Sequence, residues 1–497
     1  MMGNESVSLL IRGGHIIDPG QDIDQIADLV IDEGKIRQLG KGMPIVVASQ
    51  SPERSEGAAK QSLVIDATGM VVCPGFVDLH CHLREPGFED KETIATGTRA
   101  AAAGGFVGIC CMANTSPPID NRAMVDWVKQ KAAEEGIVHV FPVGCVTKGR
   151  DGKEVCDMAE LAEAGVVAFS DDGAPVVSSQ VMRRALEHSH ALGLPIVDHC
   201  EDRRLSNDGV VNEGWVSAKL GVKGIPANAE EIMIARDLAL AKLTNARIHI
   251  AHVSTCGSVE IVRRAKEEGI SVTAEVTPHH LTLTEEKVIA SPRPSPLQRE
   301  GVESSQLSAV SSYDTNAKVN PPLRTEDDIT CLVEGLKDGV LDAIATDHAP
   351  HTLADKDCSL ETAAFGISGF ETAFGCLMGL VHKGEIGLVT LISKLTCEPA
   401  RIVDKGNELG TLRIGSPANV TIFAPDREWV VDSSKFASKG KNTPFDGCKF
   451  KGKVMATIVD GGAVYMDDSL KSHCHPPFVI ASRSPEHSEG AAKQSHG

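Results

Sequence analysis

EEIMIARDLALAKLTNARIHIAHVST, residues 230–255, contains the pattern on which the fold prediction rests. Its first part reads as a helix that ends at Asn245, and a short apolar run after it reads as a buried strand. That strand ends at His252. The segment therefore predicts a helix followed by a strand with a polar residue at its carboxyl end.

Three further segments repeat this unit. Each combines a helical stretch that ends at Gly with a short apolar strand that ends in His or Asp: VMRRALEHSHALGLPIVDHCED (181–202), VEIVRRAKEEGISVTAEVTPHH (259–280) and EDDITCLVEGLKDGVLDAIATDHAPH (326–351). Gly suits the left-handed backbone at a helix end. Alternating helices and buried strands predict a parallel sheet, and the number of units from about residue 73 to 397 predicts a TIM-like (β/α)8 barrel.

Both ends of the chain predict β structure instead. SLLIRGGHIIDP (8–19) near the start, and SPANVTIFAPDREWVV (416–431) and GKVMATIVDGGAVYM (452–466) near the end, have short β-like runs separated by Gly and Pro turns. The 497 residues are enough for one large α/β domain and a smaller one.

Three segments differ in composition from the rest of the chain. They are SPERSEGAAKQS (51–62), its near copy SPEHSEGAAKQS (484–495), and ASPRPSPLQREGVESSQLSAVSS (290–312). Two copies at unrelated places are not the regular repeat of a solenoid, and our hypothesis is that they derive from translated repetitive DNA. We expect disordered inserts at about 47–63 and 289–312 and a disordered tail at 468–497.

Composition excludes several function classes. A net charge of -19 argues against nucleic acid or a membrane surface as the main partner, so an anionic substrate would need a local basic site. The 14 cysteines show no CxxC pair or disulfide framework, which predicts reduced, mostly buried thiols. We find no signal peptide pattern and no apolar run long enough to span a membrane, so a cytoplasmic protein is expected.

DLHCHLREPG, residues 78–87, follows an apolar run and alternates polar with apolar residues. If the strand continues that far, His80, His82 and Arg84 share one face. Two imidazoles could hold a metal ion and the guanidinium an anion, although two exposed histidines at a strand end are an equal alternative. The HCH triplet at 473–475 has no strand before it, and we expect it to be unstructured.

Metal-ligating residue types recur at the other predicted strand ends. With the first pair, the candidate ligands are His80, His82, Asp172, His199, His252 and Asp347. A single His is more often structural than a ligand, but six such groups at strand ends indicate a shared site. Imidazole and carboxylate are zinc ligands, and six are enough for two ions bridged by a carboxylate.

At this point the chain resembles a known family. DLHCHLREPG, CMANTSPP, FSDDGAPV, DHCED, HVST, NAKVNPPLR and ATDHAPH together resemble dihydroorotases of the bacterial class I type, in the metal-dependent amidohydrolase superfamily. HxH is shared by the whole superfamily, whereas the HLREPG extension and the order of the motifs are specific. The resemblance covers nearly the whole chain except the three inserts.

The resemblance implies an α/β fold in which a (β/α)8 barrel joins a small β-sandwich formed from both chain ends. The expected division is 1–72 for the first part of the sandwich, 73–397 for the barrel and 398–467 for the second part of the sandwich. Residues 468–497 are expected to form the disordered tail.

The resemblance also implies metal roles. His80, His82 and Asp347 look like ligands of one zinc ion, His199 and His252 like ligands of a second, and Asp172 like the shared ligand. Asp171 is the competing choice for that role. Many relatives use a carboxylated lysine as the bridge, but no lysine stands in FSDDG, so we expect no such modification and one or two zinc ions per subunit, with two favoured.

Substrate contacts follow in the same way. Arg84 and Asn114, with His351, look like the contacts to the substrate carboxylate. Asn320 and the backbone of Phe365 and Gly366 look like contacts to the ring amides, and His82 looks like a further substrate contact. Without the resemblance, Asn114 and Asn320 would read as turn residues beside prolines. Ala113 departs from the family, which usually has Pro there.

The implied reaction is the reversible, zinc-dependent cyclisation of N-carbamoyl-L-aspartate to dihydroorotate in pyrimidine synthesis, with Asp347 as base and then acid. His279 and His280 are expected either to support neighbouring site residues or to be structural, with no role in the reaction assigned. A homo-oligomer or a complex with aspartate transcarbamoylase is a possible assembly.

Two alternative functions remain. One is another cyclic amidohydrolase, such as a dihydropyrimidinase, hydantoinase or allantoinase, which would not need Arg84. The other is an inactive partner of aspartate transcarbamoylase, which would lack metal ligands.

Overall fold

The computed structural model describes residues 8–43, 62–289, 313–471 and 474–475, which form a mixed α/β fold. Its strands are β1 Ser8–Asp18, β2 Ile23–Asp32, β3 Lys35–Gly40, β4 Ser62–Asp66, β5 Val71–Pro74, β6 Phe76–Cys81, β7 Phe106–Cys111, β8 His139–Pro142, β9 Ile196–Asp198, β10 Val211–Asn212, β11 Gly224–Ile225, β12 Ile248–Ile250, β13 Val272–Val276, β14 Ala343–Ile344, β15 Val420–Val430, β16 Lys449–Val459, β17 Gly462–Met466 and β18 Cys474–His475.

The α-helices alternate with the central strands. They are α1 Ile94–Ala103, α2 Arg122–Glu135, α3 Met158–Ala164, α4 Ser179–Leu192, α5 Arg203–Ser206, α6 Trp215–Leu220, α7 Asn228–Thr244, α8 Cys256–Glu267, α9 Pro278–Thr282, α10 Glu326–Lys337, α11 Leu353–Lys356, α12 Phe370–His382, α13 Leu388–Leu395, α14 Cys397–Ile402 and α15 Asp468–Lys471. Within the described ranges, none of these helices has the length and apolar character needed to cross a membrane.

The two chain ends build one nine-stranded sheet. Its order is β17-β16-β15-β5-β1-β2-β3, with β4 also pairing with β1 and β18 with β4. Strand β5 joins the ends, because Val72 pairs with Ile16 on one side and with Ile422 on the other. All three side chains are fully buried in the apolar core of this sheet.

The predicted limits of the disordered segments are wrong where the structure describes them. Residues 468–471 form helix α15, because Leu470 is buried in the core of the terminal sheet. Cys474 and His475 pair with β4, so the expectation of an unstructured HCH triplet fails for these two residues. Strand β4 begins at Ser62, inside the insert expected at 47–63. Ile289, the first residue of the insert expected at 289–312, forms a β-bridge to Tyr313. The remaining residues of the inserts and tail lie outside the described ranges.

The central strands are parallel and lie in two sheets. One has the order β6-β7-β8 and the other β14-β13-β12-β9. Single parallel bridges connect their edges through Phe169, which bridges to Gly144 and Ile196, and through Cys81, which bridges to His348. The parallel arrangement expected from the sequence is present, while the described ladders do not form one continuous closed barrel.

The helix–strand units end where the sequence predicts. Helix α4 is followed by Gly193 and α7 by Asn245, both with left-handed backbone. The apolar faces of these helices pack on the strands in one large core, in which Leu186, Ile234 and Ile250 are buried. As a result, the segments after β6, β9, β12 and β14 emerge on one side of the sheets, where the His and Asp residues lie.

The prediction of reduced cysteines without a disulfide is wrong at one position. Cys256 and Cys331 form a disulfide with their Cα atoms 5.2 Å apart. Helices α8 and α10 pack side by side, so two cysteines 75 residues apart in the sequence become neighbours. Other cysteines with described side chains are free, and Cys110 and Cys111 are buried as expected.

Candidate active site

The first His pair lies at the end of β6. His80 is inside the strand and His82 directly follows it, with their ring centres 5.4 Å apart. The strand does not continue to Arg84: it ends at Cys81, and the backbone of Arg84 is left-handed (φ 63°). The guanidinium nevertheless turns into the same cavity, where its Nε donates to the Pro350 carbonyl (3.3 Å) and its Nη2 lies 3.3 Å from Nε2 of His351.

Asp172 lies at the centre of the four candidate histidines. Its Oδ1 is 3.4 Å from Nε2 of His80, 3.7 Å from Nδ1 of His199 and 3.7 Å from Nε2 of His252. Its Oδ2 is 3.6 Å from Nε2 of His82. One carboxylate therefore touches every imidazole of the set.

Asp347 completes the first group. Its Oδ1 lies 3.1 Å from Nε2 of His82 and 3.7 Å from Nε2 of His80. On the other side of Asp172, Nδ1 of His199 and Nε2 of His252 are 2.9 Å apart. All six residues predicted as metal ligands thus converge.

Asp171, the alternative to Asp172, faces away from this cluster. Its Oδ1 accepts backbone hydrogen bonds from Val146 (2.8 Å) and Thr147 (3.0 Å). Burial raises the pKa of its carboxyl to about 6. Asp171 therefore anchors the preceding loop, and the geometry favours Asp172 as the residue between the histidines.

The electrostatics of the cluster couple its buried carboxylates to the neighbouring imidazoles. Burial alone would raise the pKa of Asp172 and Asp347, but the neighbouring imidazoles hold both well below the usual range. Conversely, burial opposes protonation of His80, yet Asp172 and Glu275 raise its pKa. Ionised carboxylates in a dry site need a compensating positive charge.

The cluster also fits a metal ion by its hydrogen bonding. Among the described residues, the buried atoms Nε2 of His80 and Oδ1 of Asp172 have no hydrogen-bond partner, although both face the centre. Ligand atoms of His80, His82 and Asp347, and separately of His80, Asp172 and His252, lie within 4.8 Å of one another. Imidazole and carboxylate donors of this kind suit zinc and similar divalent ions.

Three of the four imidazoles have a polar partner on the ring nitrogen that faces away from the centre. Nδ1 of His80 contacts Oε1 of Glu275 (3.0 Å). Nδ1 of His82 contacts Oδ1 of Asn114 (3.0 Å). Nε2 of His199 contacts Oε2 of Glu201 (3.2 Å). Such partners fix the orientation and tautomer of metal-bound histidines.

Glu275 and Glu201 were missed by the sequence-based prediction. Glu275 is fully buried in β13, where it also contacts Nε2 of His249 (3.1 Å). A charged residue inside the short buried strand VTAEV was the available signal. Glu201 stands two residues after His199 in DHCED, a spacing that gave no comparable signal.

A cavity of about 230 Å³ opens beside the cluster. Every residue predicted to contact substrate lines it: His82, Arg84, Asn114, Asn320, His351, Phe365 and Gly366. Whether a modified lysine bridges the metals stays a prediction. The cavity therefore places one guanidinium and several amide groups next to the His and Asp cluster.

Two buried lysines hold the loop that carries Phe365 and Gly366, and the sequence gave no sign of this role. Nζ of Lys356 donates to the carbonyls of Ala364 (2.7 Å), Thr315 and Lys318. The backbone N–H of Gly366 donates to the Lys318 carbonyl (2.9 Å). The loop is thus fixed at its end nearest to the cavity.

His279 and His280 do not line the cavity. Nδ1 of His280 accepts from the Thr277 hydroxyl (2.7 Å), and its Nε2 donates to the Pro321 carbonyl (3.0 Å). These contacts support the expected structural role of His280, since they connect the segment after β13 to the segment that contains Asn320.

Comparison with known proteins identifies related sequences. Residues 69–258 match the family model described as Dihydro-orotase-like. A dihydroorotase of Thermoanaerobacter sp. (strain X514) is 49% identical over 461 residues, which cover 93% of this chain and 98% of the relative. A dihydroorotase of Citrifermentans bemidjiense is 46% identical over 459 residues, which cover 92% of this chain and 100% of the relative.

Solved structures with the same fold include a hydantoinase and a dihydropyrimidinase. An L-hydantoinase from Arthrobacter aurescens superposes with a TM-score of 0.76 at 24% identity, covering 92% of this chain and 96% of its own. A dihydropyrimidinase from Brevibacillus agri superposes with a TM-score of 0.74 at 21% identity, covering 93% and 95%. At these identities the likeness establishes the fold alone.

Proposed function

This chain belongs to the dihydroorotase family, whose members are hydrolases that act on cyclic amides. On that basis we propose the reaction that it catalyses and the residues that take part in it. The reaction is the reversible cyclisation of N-carbamoyl-L-aspartate to (S)-dihydroorotate and water in pyrimidine biosynthesis. The observation that supports it best is the position of Arg84, which lines the same cavity as five of the six His and Asp residues.

The fold proposal is one (β/α)8 barrel with a β-sandwich formed from both chain ends. The two parallel sheets would be arcs of one barrel, since single bridges already connect their edges. The terminal sheet would belong to the sandwich. The division at residues 1–72, 73–397 and 398–467 stays a prediction, and its first boundary falls inside strand β5.

The metal proposal is two zinc ions. His80, His82 and Asp347 would hold one, and His199 and His252 would hold the other. Asp172 would be shared, because its two oxygens face both groups. When bound, the ions supply a polarising charge to the amide carbonyl and make water a better nucleophile at neutral pH.

Asp347 is the proposed acid–base group. Its carboxylate lines the cavity, with Oδ1 3.1 Å from Nε2 of His82, and an ionised carboxylate can accept a proton from a nearby water. In the hydrolytic direction it takes the proton of the water that attacks the ring carbonyl, then delivers it to the nitrogen released when the carbon–nitrogen bond breaks. Ring closure follows the same path in reverse.

Arg84 is the proposed anchor of the substrate carboxylate, with Asn114 and His351 beside it. Its guanidinium is placed by Pro350 and lies against His351, whose pKa burial lowers to about 2, so that His351 stays neutral. A planar guanidinium suits a carboxylate.

Asn320 and the backbone of Phe365 and Gly366 would contact the ring amides. Association of the chain with itself or with aspartate transcarbamoylase stays a prediction.

A substrate panel with Arg84→Met tests this proposal. We expect hydrolysis of dihydroorotate to exceed that of dihydrouracil and of a hydantoin, which lack the carboxylate. Arg84→Met should lower kcat/KM for dihydroorotate by about 100-fold, because the charge-assisted pair is lost. Arg401→Met, at an exposed pair with Glu398, is the matched control and should have no effect.

Other results would point to other functions. Faster turnover of dihydrouracil or a hydantoin, unaffected by Arg84→Met, would identify a different cyclic amidohydrolase. No turnover of any of the three by the zinc-loaded protein would favour an inactive partner of aspartate transcarbamoylase.

A further inference from the structure

Glu201 connects a candidate metal ligand to a candidate substrate contact. Its Oε2 lies 3.2 Å from Nε2 of His199 and 3.2 Å from Nδ2 of Asn320. Nε2 of His199 and Nδ2 of Asn320 are themselves 3.5 Å apart. The three atoms form a triangle, which we call the Glu201 triangle, at the wall of the cavity.

The proton on each group of the Glu201 triangle decides which group donates a hydrogen bond and which accepts one. His199 faces Asp172 and His252 through Nδ1, and a nitrogen that binds a metal carries no proton. Its Nε2 therefore carries the ring proton and donates to Glu201. An ionised carboxylate is an acceptor only, so Oε2 of Glu201 is the one acceptor and His199 and Asn320 are the two donors.

This assignment fixes which end of the Asn320 amide faces the cavity. The oxygen of Asn320 would be repelled by the carboxylate, so only the NH₂ group can point at Glu201. The carbonyl oxygen Oδ1 is then on the opposite side, and among the described residues it makes no hydrogen bond. Since Asn320 lines the cavity, its free acceptor is available to a ligand.

We infer that Glu201 is a positioning residue that makes Asn320 an acceptor for a substrate N–H, while it holds His199 in its metal-binding tautomer. The inference rests on the proposed function and names the ligand group more closely: a ring amide or ureido N–H next to the carbonyl that is attacked. Glu201 itself does not line the cavity, so it acts through these two neighbours.

Reversing the polarity of the triangle tests this inference. Asn320→Asp puts two carboxylates together, and we expect kcat/KM for dihydroorotate to fall by about 10- to 100-fold, mainly through KM. Adding Glu201→Gln restores two donors and one acceptor, because the glutamine NH₂ and His199 can both donate to the new aspartate. The double variant should therefore be about tenfold more active than Asn320→Asp alone.

Zinc affinity gives a readout that is independent of turnover. Glu201→Gln removes the negative charge behind His199, and chelator competition should show one of two zinc ions bound about 10- to 100-fold more weakly. Glu187→Gln, which removes an exposed carboxylate paired with Arg183, is the control and should change neither zinc affinity nor KM.

The outcomes separate this inference from the proposed function. A double variant no better than Asn320→Asp, at equal zinc content, overturns the assigned polarity. Unchanged zinc affinity in Glu201→Gln overturns the role of Glu201 behind His199. If the wild type does not turn over dihydroorotate, the proposed function fails, whereas the zinc measurement still decides the role of Glu201.

Discussion

At the scale of single residues, the site uses backbone conformations that are unusual for side-chain-bearing residues. Arg84, His252 and Asp347 all have positive φ, at 63°, 33° and 46°. Non-glycine residues in this region are uncommon and cluster at functional sites. His252 and Asp347 contact Asp172 and His82 in the cluster, and Arg84 lies in the adjoining cavity.

Glu275 gives the sharpest prediction at this scale. Glu275→Gln keeps the shape of the side chain but removes the charge behind His80 and His249. We expect zinc to bind about 10- to 100-fold more weakly, measured by chelator competition, because the partner of His80 no longer fixes its tautomer.

Glu371→Gln is the matched control for that measurement. Glu371 accepts its hydrogen bonds from the backbone of Ala437 and Ser438, away from the metal ligands. Zinc affinity equal to wild type in Glu275→Gln would contradict the role assigned to Glu275.

The candidate ligands could be found from the sequence because they follow recognisable strands. His80 and His82 alternate at the end of an apolar run, and Asp347 and His252 end strands after helices. The position of Arg84 in the cavity does not come from alternation along a strand, since the strand ends before this residue. Glu201 was not foreseeable, because its partner Asn320 is 119 residues away.

At the scale of helices and strands, local sequence patterns were sufficient to predict the central helix–strand units. They were insufficient to predict which distant segments pair. Gly193 and Asn245 end helices where the sequence predicts. The pairing of β5 with β15, which joins Val72 to Ile422, depends on packing that a local pattern does not contain. The Cys256–Cys331 disulfide has the same origin.

The disulfide leads to a stability prediction. Cys256→Ser opens a loop of 75 residues, and the loss of this cross-link should lower the free energy of unfolding by about 4 kcal/mol without reductant. Thermal or denaturant unfolding measures the loss, and it should vanish when both proteins are kept reduced.

Cys448→Ser is the control for the disulfide prediction, because Cys448 is a free, partly exposed thiol. It should be neutral with and without reductant. Equal stability of Cys256→Ser and wild type under oxidising conditions would show that the cross-link does not form in solution.

At the scale of the whole molecule, the sheet formed by both chain ends determines which residues near the C-terminus contribute to stability. Leu470 is buried in that sheet and Cys474 pairs with Ile65. The near-repeat SPEHSEGAAKQS, at 484–495, lies beyond the described residues, and the hypothesis of a translated repetitive insert gives it no role.

Two truncations test this distinction. Deleting residues 484–497 should leave kcat/KM and the melting temperature unchanged. Deleting 468–497 also removes Leu470, and the loss of its buried surface should cost about 1.5–3 kcal/mol in unfolding experiments. Lost activity in the shorter deletion would reject the hypothesis.

Turnover of dihydroorotate by the metal-free and zinc-loaded protein, beside Asp347→Asn, tests the central claim most directly. We predict little turnover without metal, recovery with zinc, and a loss of about 10²- to 10⁴-fold in zinc-loaded Asp347→Asn, which lacks the proton acceptor. Full activity of the metal-free protein, or of Asp347→Asn, would contradict the account, as would an inactive zinc-loaded wild type.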